Sequence, residues 1–197
     1  MTVLIASLSV HEAAHAWAAS LLGDPTARLL GRLSLNPAVH VDLIGTVLFP
    51  LVAISTGLPL IGWAKPVPVD FRHLRHPRRD FAMVAAAGPA SNMLLAILGA
   101  AAFAVTGGQD AFLSGSLLAA VLRAFVLLNV LLAVFNMVPV PPLDGGNVLM
   151  GLLPASGAAL VDRVRPFGFL VLYALMLSGM LSAILGPVQR FVRDWLL

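Results

Sequence analysis

Residues 81–106, "FAMVAAAGPASNMLLAILGAAAFAVT", contain no ionisable side chain. A second apolar stretch, about 116–137, has Arg123 as its one ionisable side chain. Each is long enough to cross about 30 Å of hydrocarbon as a helix. A soluble surface helix would need a polar face, and neither stretch has one. Only 11% of the chain is charged, against about a quarter in soluble domains, and the mean hydropathy is +0.96. The expected class is therefore an all-α polytopic membrane protein, one domain over 1–197. Its core covers about 1–153, followed by a C-terminal membrane segment at about 166–187 and a basic tail. The chain has no cysteine, which excludes disulfides, thiolate metal sites and cysteine nucleophiles.

Three further segments have mixed character. Residues 2–22 are apolar and stop at "GDPT". Residues 27–37, "ARLLGRLSLNP", alternate loosely and predict a short membrane-associated β segment. Residues 43–63 are apolar but broken by Gly45, Pro50, Gly57 and Pro59. Basic residues constrain the topology. Lys65, Arg72, Arg75, Arg78 and Arg79 cluster in 65–79, and Arg28 and Arg32 precede 43–63. The positive-inside rule places both loops in the cytoplasm, so 43–63 is expected to be a re-entrant hairpin buried in protein. The helix over 81–106 then leaves the cytosol and the next one returns. This brings 11–15 and 136–144 to a common depth. The basic cluster reads as a juxtamembrane loop, not as a nucleic-acid surface.

Residues 11–15, His-Glu-Ala-Ala-His, form an H-E-x-x-H pentapeptide that contains the only glutamate of the chain. On a helix, positions i and i+4 share a face one turn apart. Two imidazoles at that spacing can hold one zinc ion, and the glutamate beside the first can take a proton from water activated there. A chance match is expected in about one chain in a hundred of average composition. Ionisable groups buried in a membrane segment are costly and mostly functional, which weighs against a purely structural cluster. A third ligand has to be a carboxylate or histidine at similar depth. Asp110, Asp162 and Asp194 lie in loops or at the interface. Asp144 follows the second apolar helix in "PVPPLDGGN", where prolines end the helix and glycines permit close approach. By local pattern Asp144 reads equally as a ligand and as an N-cap of the next helix.

"HEAAH" in an apolar segment followed by "FNMVPVPPLDGG" resembles the site-2 protease family of intramembrane zinc metalloproteases. "GDPTARLLGRLSLNP", "GWAKPVPV" and "AAAGPASN" resemble its compact prokaryotic branch, and the likeness covers about residues 8–150. It implies His11, His15 and Asp144 as ligands of one Zn2+ and Glu12 as general base. Relative to that family the lead-in of ten residues before His11 is short, and no PDZ-like or CBS-like domain is evident.

The expected function is hydrolysis of peptide bonds in or near transmembrane segments, in the cell (inner) membrane of a prokaryote. The expected substrates are membrane proteins or signal-peptide remnants. The lipid bilayer is the other partner, and the sequence sets no oligomeric state. Asn136 reads either as an oxyanion or substrate contact or as a helix-end residue bonded to its own backbone. Asn92 reads as an interhelical hydrogen bond or a weaker active-site contact. His40, His73 and His76 read as solvated loop histidines. Residues 27–35 could offer an edge to an unwound substrate strand. A metal transporter would repeat its ligands along a path, and none repeat. A catalytically inactive scaffold would lack part of the catalytic set, and His11, Glu12, His15 and Asp144 are all present.

Overall fold

The computed structural model of the protein describes residues 2–42, 45, 48–56 and 65–195. The regular elements among them are all helical. They are α1 (Thr2–Leu21), α2 (Thr26–Leu29), α3 (Phe49–Thr56), α4 (Pro77–Val105), α5 (Gly108–Leu113), α6 (Leu117–Asn136), α7 (Asp144–Leu152), α8 (Ala155–Val164), α9 (Gly168–Leu177) and α10 (Met180–Trp195).

The long helices begin where local chemistry starts them. Pro77 occupies the first turn of α4 with its φ already helical. Asp80 reaches back so that its carboxylate accepts the His76 N–H at 2.7 Å, which satisfies the donor at the N-cap position. The Ser116 hydroxyl oxygen accepts the Ala119 N–H and caps α6. Both α4 and α6 are long and apolar enough to cross a membrane. Their outward faces carry exposed Leu94, Ile97, Leu98, Leu117 and Leu118, while Asn92 and Asn129 are fully buried. Polar-inside and apolar-outside is the arrangement that hydrocarbon solvent favours. The two helices close on Ala96, Val126 and Val130, joined by Val192 of α10. Gly99 makes this approach possible, since a Cβ there would come within 2.7 Å of the Phe125 ring. α1 packs against α4 as well, with Ala16 and Ala19 fully buried.

The expected β segment at 27–37 is not formed, and the described residues contain no strand. Turn chemistry overrides the alternation. Asp24 accepts from the Thr26 N–H and hydroxyl and starts the single helical turn α2. Gly31 then reverses the chain at φ +69°. The Asn36 side chain accepts from the Ala38 N–H and starts a 3-10 turn over Pro37–Val39. An edge for strand addition is therefore not available as expected. The hairpin expected over 43–63 falls largely outside the described residues, of which Phe49–Thr56 is helical. The C-terminal segment expected at about 166–187 is a bent pair. The chain turns by 66° between Leu177 and Met180, with Gly179 in the left-handed region at φ +76°. Together the bent pair is long and apolar enough for a third span. The bend lets α10 bury Val192 while Arg190 and Arg193 stay exposed, which accommodates charges that a straight crossing would place in lipid.

Asp24 is the clamp at the end of α1. It has no exposed surface. Besides Thr26 it accepts the Asp70 N–H at 2.7 Å and faces His73 Nδ1 at 3.3 Å, tying the loop after α1 to the loop before α4. Burial pushes the Asp24 carboxyl up, but the donors on Thr26, Asp70 and His73 outweigh it and hold it below the usual carboxylate range. Such a group stabilises the fold above the ordinary carboxylate pKa, and the stabilisation is lost as pH falls through the depressed value. Protection of the Thr26 and Asp70 amides against hydrogen exchange, relative to the intrinsic rate at each pH, should therefore be lost only in acid, below about pH 4. Asp24→Asn should exchange fast at neutral pH and lose that acid dependence. An acid limb unchanged in Asp24→Asn would show that another group controls this loop.

Candidate metal centre

The i, i+4 spacing places His11 and His15 on the face of α1 that meets α4. Each ring is fixed through its Nδ1. His11 Nδ1 lies 2.6 Å from Asn92 Oδ1, and His15 Nδ1 lies 2.7 Å from the Val84 carbonyl. Both partners accept, so both Nδ1 atoms donate and both neutral rings leave Nε2 as a bare lone pair. The two Nε2 atoms face each other at 3.0 Å. Asp144 Oδ2 completes the triangle at 3.1 Å from His11 Nε2 and 3.4 Å from His15 Nε2. The three side chains are 4%, 10% and 16% exposed, so water does not separate them. Three electron-pair donors converging in a nearly dry site repel one another unless a proton or a metal ion lies between them. Ligands at 2.0–2.1 Å from a tetrahedral zinc are about 3.3 Å apart, and the observed edges bracket that spacing. His11, His15 and Asp144 therefore fit a metal ion, and they form the group of such residues found among the described ones.

The loop after α6 delivers Asp144. Asp144 is the first residue of α7, and Leu143, in the capping position, makes no side-chain cap bond. The Asp144 carboxylate faces the histidines instead of capping its helix. Gly145 and Gly146 let the first turn of α7 fold onto the loop. A Cβ on Gly145 would overlap the Met137 carbonyl, and one on Gly146 would lie 2.6 Å from Pro141 N. The loop is held from the far side by Leu172 of α9 and Leu181 of α10, packed on Val138 and Leu143. The C-terminal helices thus support the ligand loop.

Glu12 is buried on the neighbouring flank of α1, within electrostatic reach of His15, His11, Asp144 and His40. Asn92 does reach the site, as the hydrogen-bond partner of His11. The Asn136 amide donates to the Leu132 carbonyl of its own helix at 2.9 Å, the backbone-satisfied arrangement. His40 differs from expectation. It is 3% exposed, its Nε2–H donates to the Ser34 carbonyl, and its Nδ1 has no partner among the described residues. The turn at Asn36–Pro37 folds it inward, where loop composition predicts solvent. His73 and His76 are exposed as expected.

Sequence reasoning missed Gly88 and Asn129. A Cβ on Gly88 would land on the Nε2 atoms of both His11 and His15, so the metal position exists only because α4 has no side chain there. Asn129 is a lone amide in "VLLNVLL", and the cost of a polar group in an apolar helix was the available signal. A groove of about 300 Å³ runs along α1 between Val10, Ala13, Ala14 and Trp17 on one side and Leu33, Ser34 and Leu35 on the other. It lies around the helix from the imidazoles and does not open onto them.

A buried His-His-carboxylate triangle beside a buried glutamate is the side-chain set of a metal-dependent hydrolase. Comparison with known proteins narrows the class. Residues 109–179, which include Asp144, match the model of peptidase family M50. The chain is 35% identical over 208 residues to the Bacillus subtilis protein named "Putative zinc metalloprotease YwhC", covering 98% of this chain and 87% of that one. It is 29% identical over 179 residues to the Rip2 protein of Mycolicibacterium smegmatis, covering 89% and 65% of the two chains. Against Rip2 of Mycobacterium tuberculosis H37Rv the identity is 30% over 187 residues, covering 90% and 66%. Both Rip2 proteins carry the same zinc metalloprotease description, and the chain spans about two thirds of their length. No solved structure matches the chain. The chain belongs to peptidase family M50, the site-2 protease family.

Proposed function

We propose that this protein is an intramembrane zinc metalloendopeptidase that cleaves peptide bonds in or near transmembrane segments of other proteins. The observation that carries this reading is the convergence of His11 Nε2, His15 Nε2 and Asp144 Oδ2 within helices whose outer surfaces are apolar. A zinc ion held there would supply Lewis acidity toward water and the scissile carbonyl. Glu12, one residue from a ligand, takes the proton of the attacking water and then delivers it to the leaving amine. Asn92 and the Val84 carbonyl keep the imidazoles in the tautomer that leaves Nε2 free. Asn136 becomes an oxyanion or substrate contact once its amide turns away from Leu132.

The ligands are too enclosed to admit a helix directly, so a substrate must unwind and the bundle must open around it. Membrane-protein segments and signal-peptide remnants are the substrates of matching chemistry, and a multi-pass position in a prokaryotic cell membrane suits the apolar faces of α4 and α6. The test is cleavage of a single-span substrate by the full chain reconstituted in liposomes. Cleavage should stop when a zinc chelator is added and return with stoichiometric Zn2+. Cleavage that persists in chelator, or occurs only in a soluble unfolded peptide, would reject the reading.

A further inference from the structure

Asn129 belongs to no motif, yet its side chain is completely buried and fully bonded. Its Nδ2 donates to the Phe125 carbonyl at 2.9 Å and to the Ser7 hydroxyl oxygen at 3.0 Å. A main-chain carbonyl can only accept. The Phe125 contact therefore decides which end of the amide is which, and Oδ1 must face Asn92. Asn92 answers with its Nδ2, which donates to Asn129 Oδ1 at 2.9 Å and lies 3.4 Å from the Ser7 carbonyl. That leaves Asn92 Oδ1 for His11 Nδ1 at 2.6 Å. Hydrogen-bond direction thus passes from a carbonyl of α6 through two amides to an imidazole of α1. Were Asn92 to flip, its Nδ2 would face His11 Nδ1. The His11 proton would then move to Nε2, into the position a metal ion would take.

We propose that Asn129, seconded by Ser7, is a positioning residue of the metal centre. Acting through Asn92, it locks His11 in the Nδ1–H tautomer and fixes the plane of its ring. The inference rests on the zinc-centre reading above and adds residues outside the H-E-x-x-H and L-D-G motifs. The chemistry favours such a relay here. Lipid offers no water to satisfy a stray donor, so each amide needs a partner on both ends. Once satisfied, the chain has a single low-energy direction.

The test measures Zn2+ affinity of the full chain in detergent by competition with a chromophoric chelator, with Co2+ absorption as a second readout of ligand geometry. Asn129→Leu should bind zinc about 10- to 100-fold more weakly and alter the Co2+ spectrum while keeping wild-type helicity. In an Asn92→Ala background, Asn129→Leu should cause no further loss, because the path to His11 is already cut. Asn129→Asp, neutral in an apolar core, keeps a carbonyl for Asn92 and a hydroxyl donor, and should stay within about threefold of wild type. If Asn129→Leu loses helicity, Asn129→Ala takes its place. Wild-type affinity in Asn129→Leu, or losses that add in the double variant, would overturn the proposal while leaving the zinc reading intact. Failure of the wild-type protein to bind zinc would reject the zinc reading, and the relay proposal with it.

Discussion

Glu12→Gln should retain its metal ion and lose peptide-bond cleavage by about 10³-fold or more. The substitution is nearly isosteric, and the His11, His15 and Asp144 ligand atoms are not altered. The buried position of Glu12 is neutral in packing terms, so the helix should seat as before. An amide, however, cannot accept a proton from water or hand one to a departing amine. Metal content and cleavage of a single-span substrate should be measured on the same preparations. Zinc bound with cleavage lost assigns Glu12 to proton transfer. Equal turnover in both proteins would remove Glu12 from the chemistry and leave the cluster as a metal site without a base. Loss of zinc together with cleavage would mean that Glu12 holds the ligand helix in place.

Gly88→Ala should severely weaken metal binding without removing any ligand. The new methyl group would overlap the Nε2 atoms of both His11 and His15. Neither ring can retreat, because His11 Nδ1 is bonded to Asn92 and His15 Nδ1 to Val84. Overpacking of this kind costs about 1–3 kcal/mol in a well-packed interior. Here the same atoms also carry the ligand lone pairs, so the loss of zinc affinity should reach at least about 100-fold. Chelator competition on Gly88→Ala and Gly88→Ser, with helicity as the control, checks this. Wild-type zinc affinity in Gly88→Ala would mean that α4 stands farther from α1 than described.

Much of the site was legible because its chemistry has a period. His11 and His15 share a helix face by spacing alone. Charge placement predicts that α1 and the end of α6 lie at one depth, and in the structure His11 and Asp144 meet at 3.1 Å. The irregular parts were less legible. Residues 27–37 alternate like a strand, but Asp24, Gly31 and Asn36 each impose a turn through side-chain hydrogen bonds or a positive φ. His40 shares its loop setting with His73, yet only His40 is folded inward. Local composition does not encode such a choice between neighbours. The apolar run at 166–187 looked continuous, while a glycine breaks it and turns α10 back onto α6.

The sequence by itself determined the two long apolar helices and the pairing of two histidine donors on one helix face. Hydropathy, helical period and donor type are properties of a short stretch of chain. It also narrowed the third ligand to Asp144, but left ligand and helix cap level. Only tertiary structure shows which way that carboxylate points, toward the Nε2 atoms of His11 and His15 and not to its own helix end. Only tertiary structure revealed Gly88, whose importance is the space it leaves, and Asn129, whose importance is the direction of its amide. Empty volume and hydrogen-bond direction are relations between helices distant in sequence, and they come into being when α1, α4 and α6 pack.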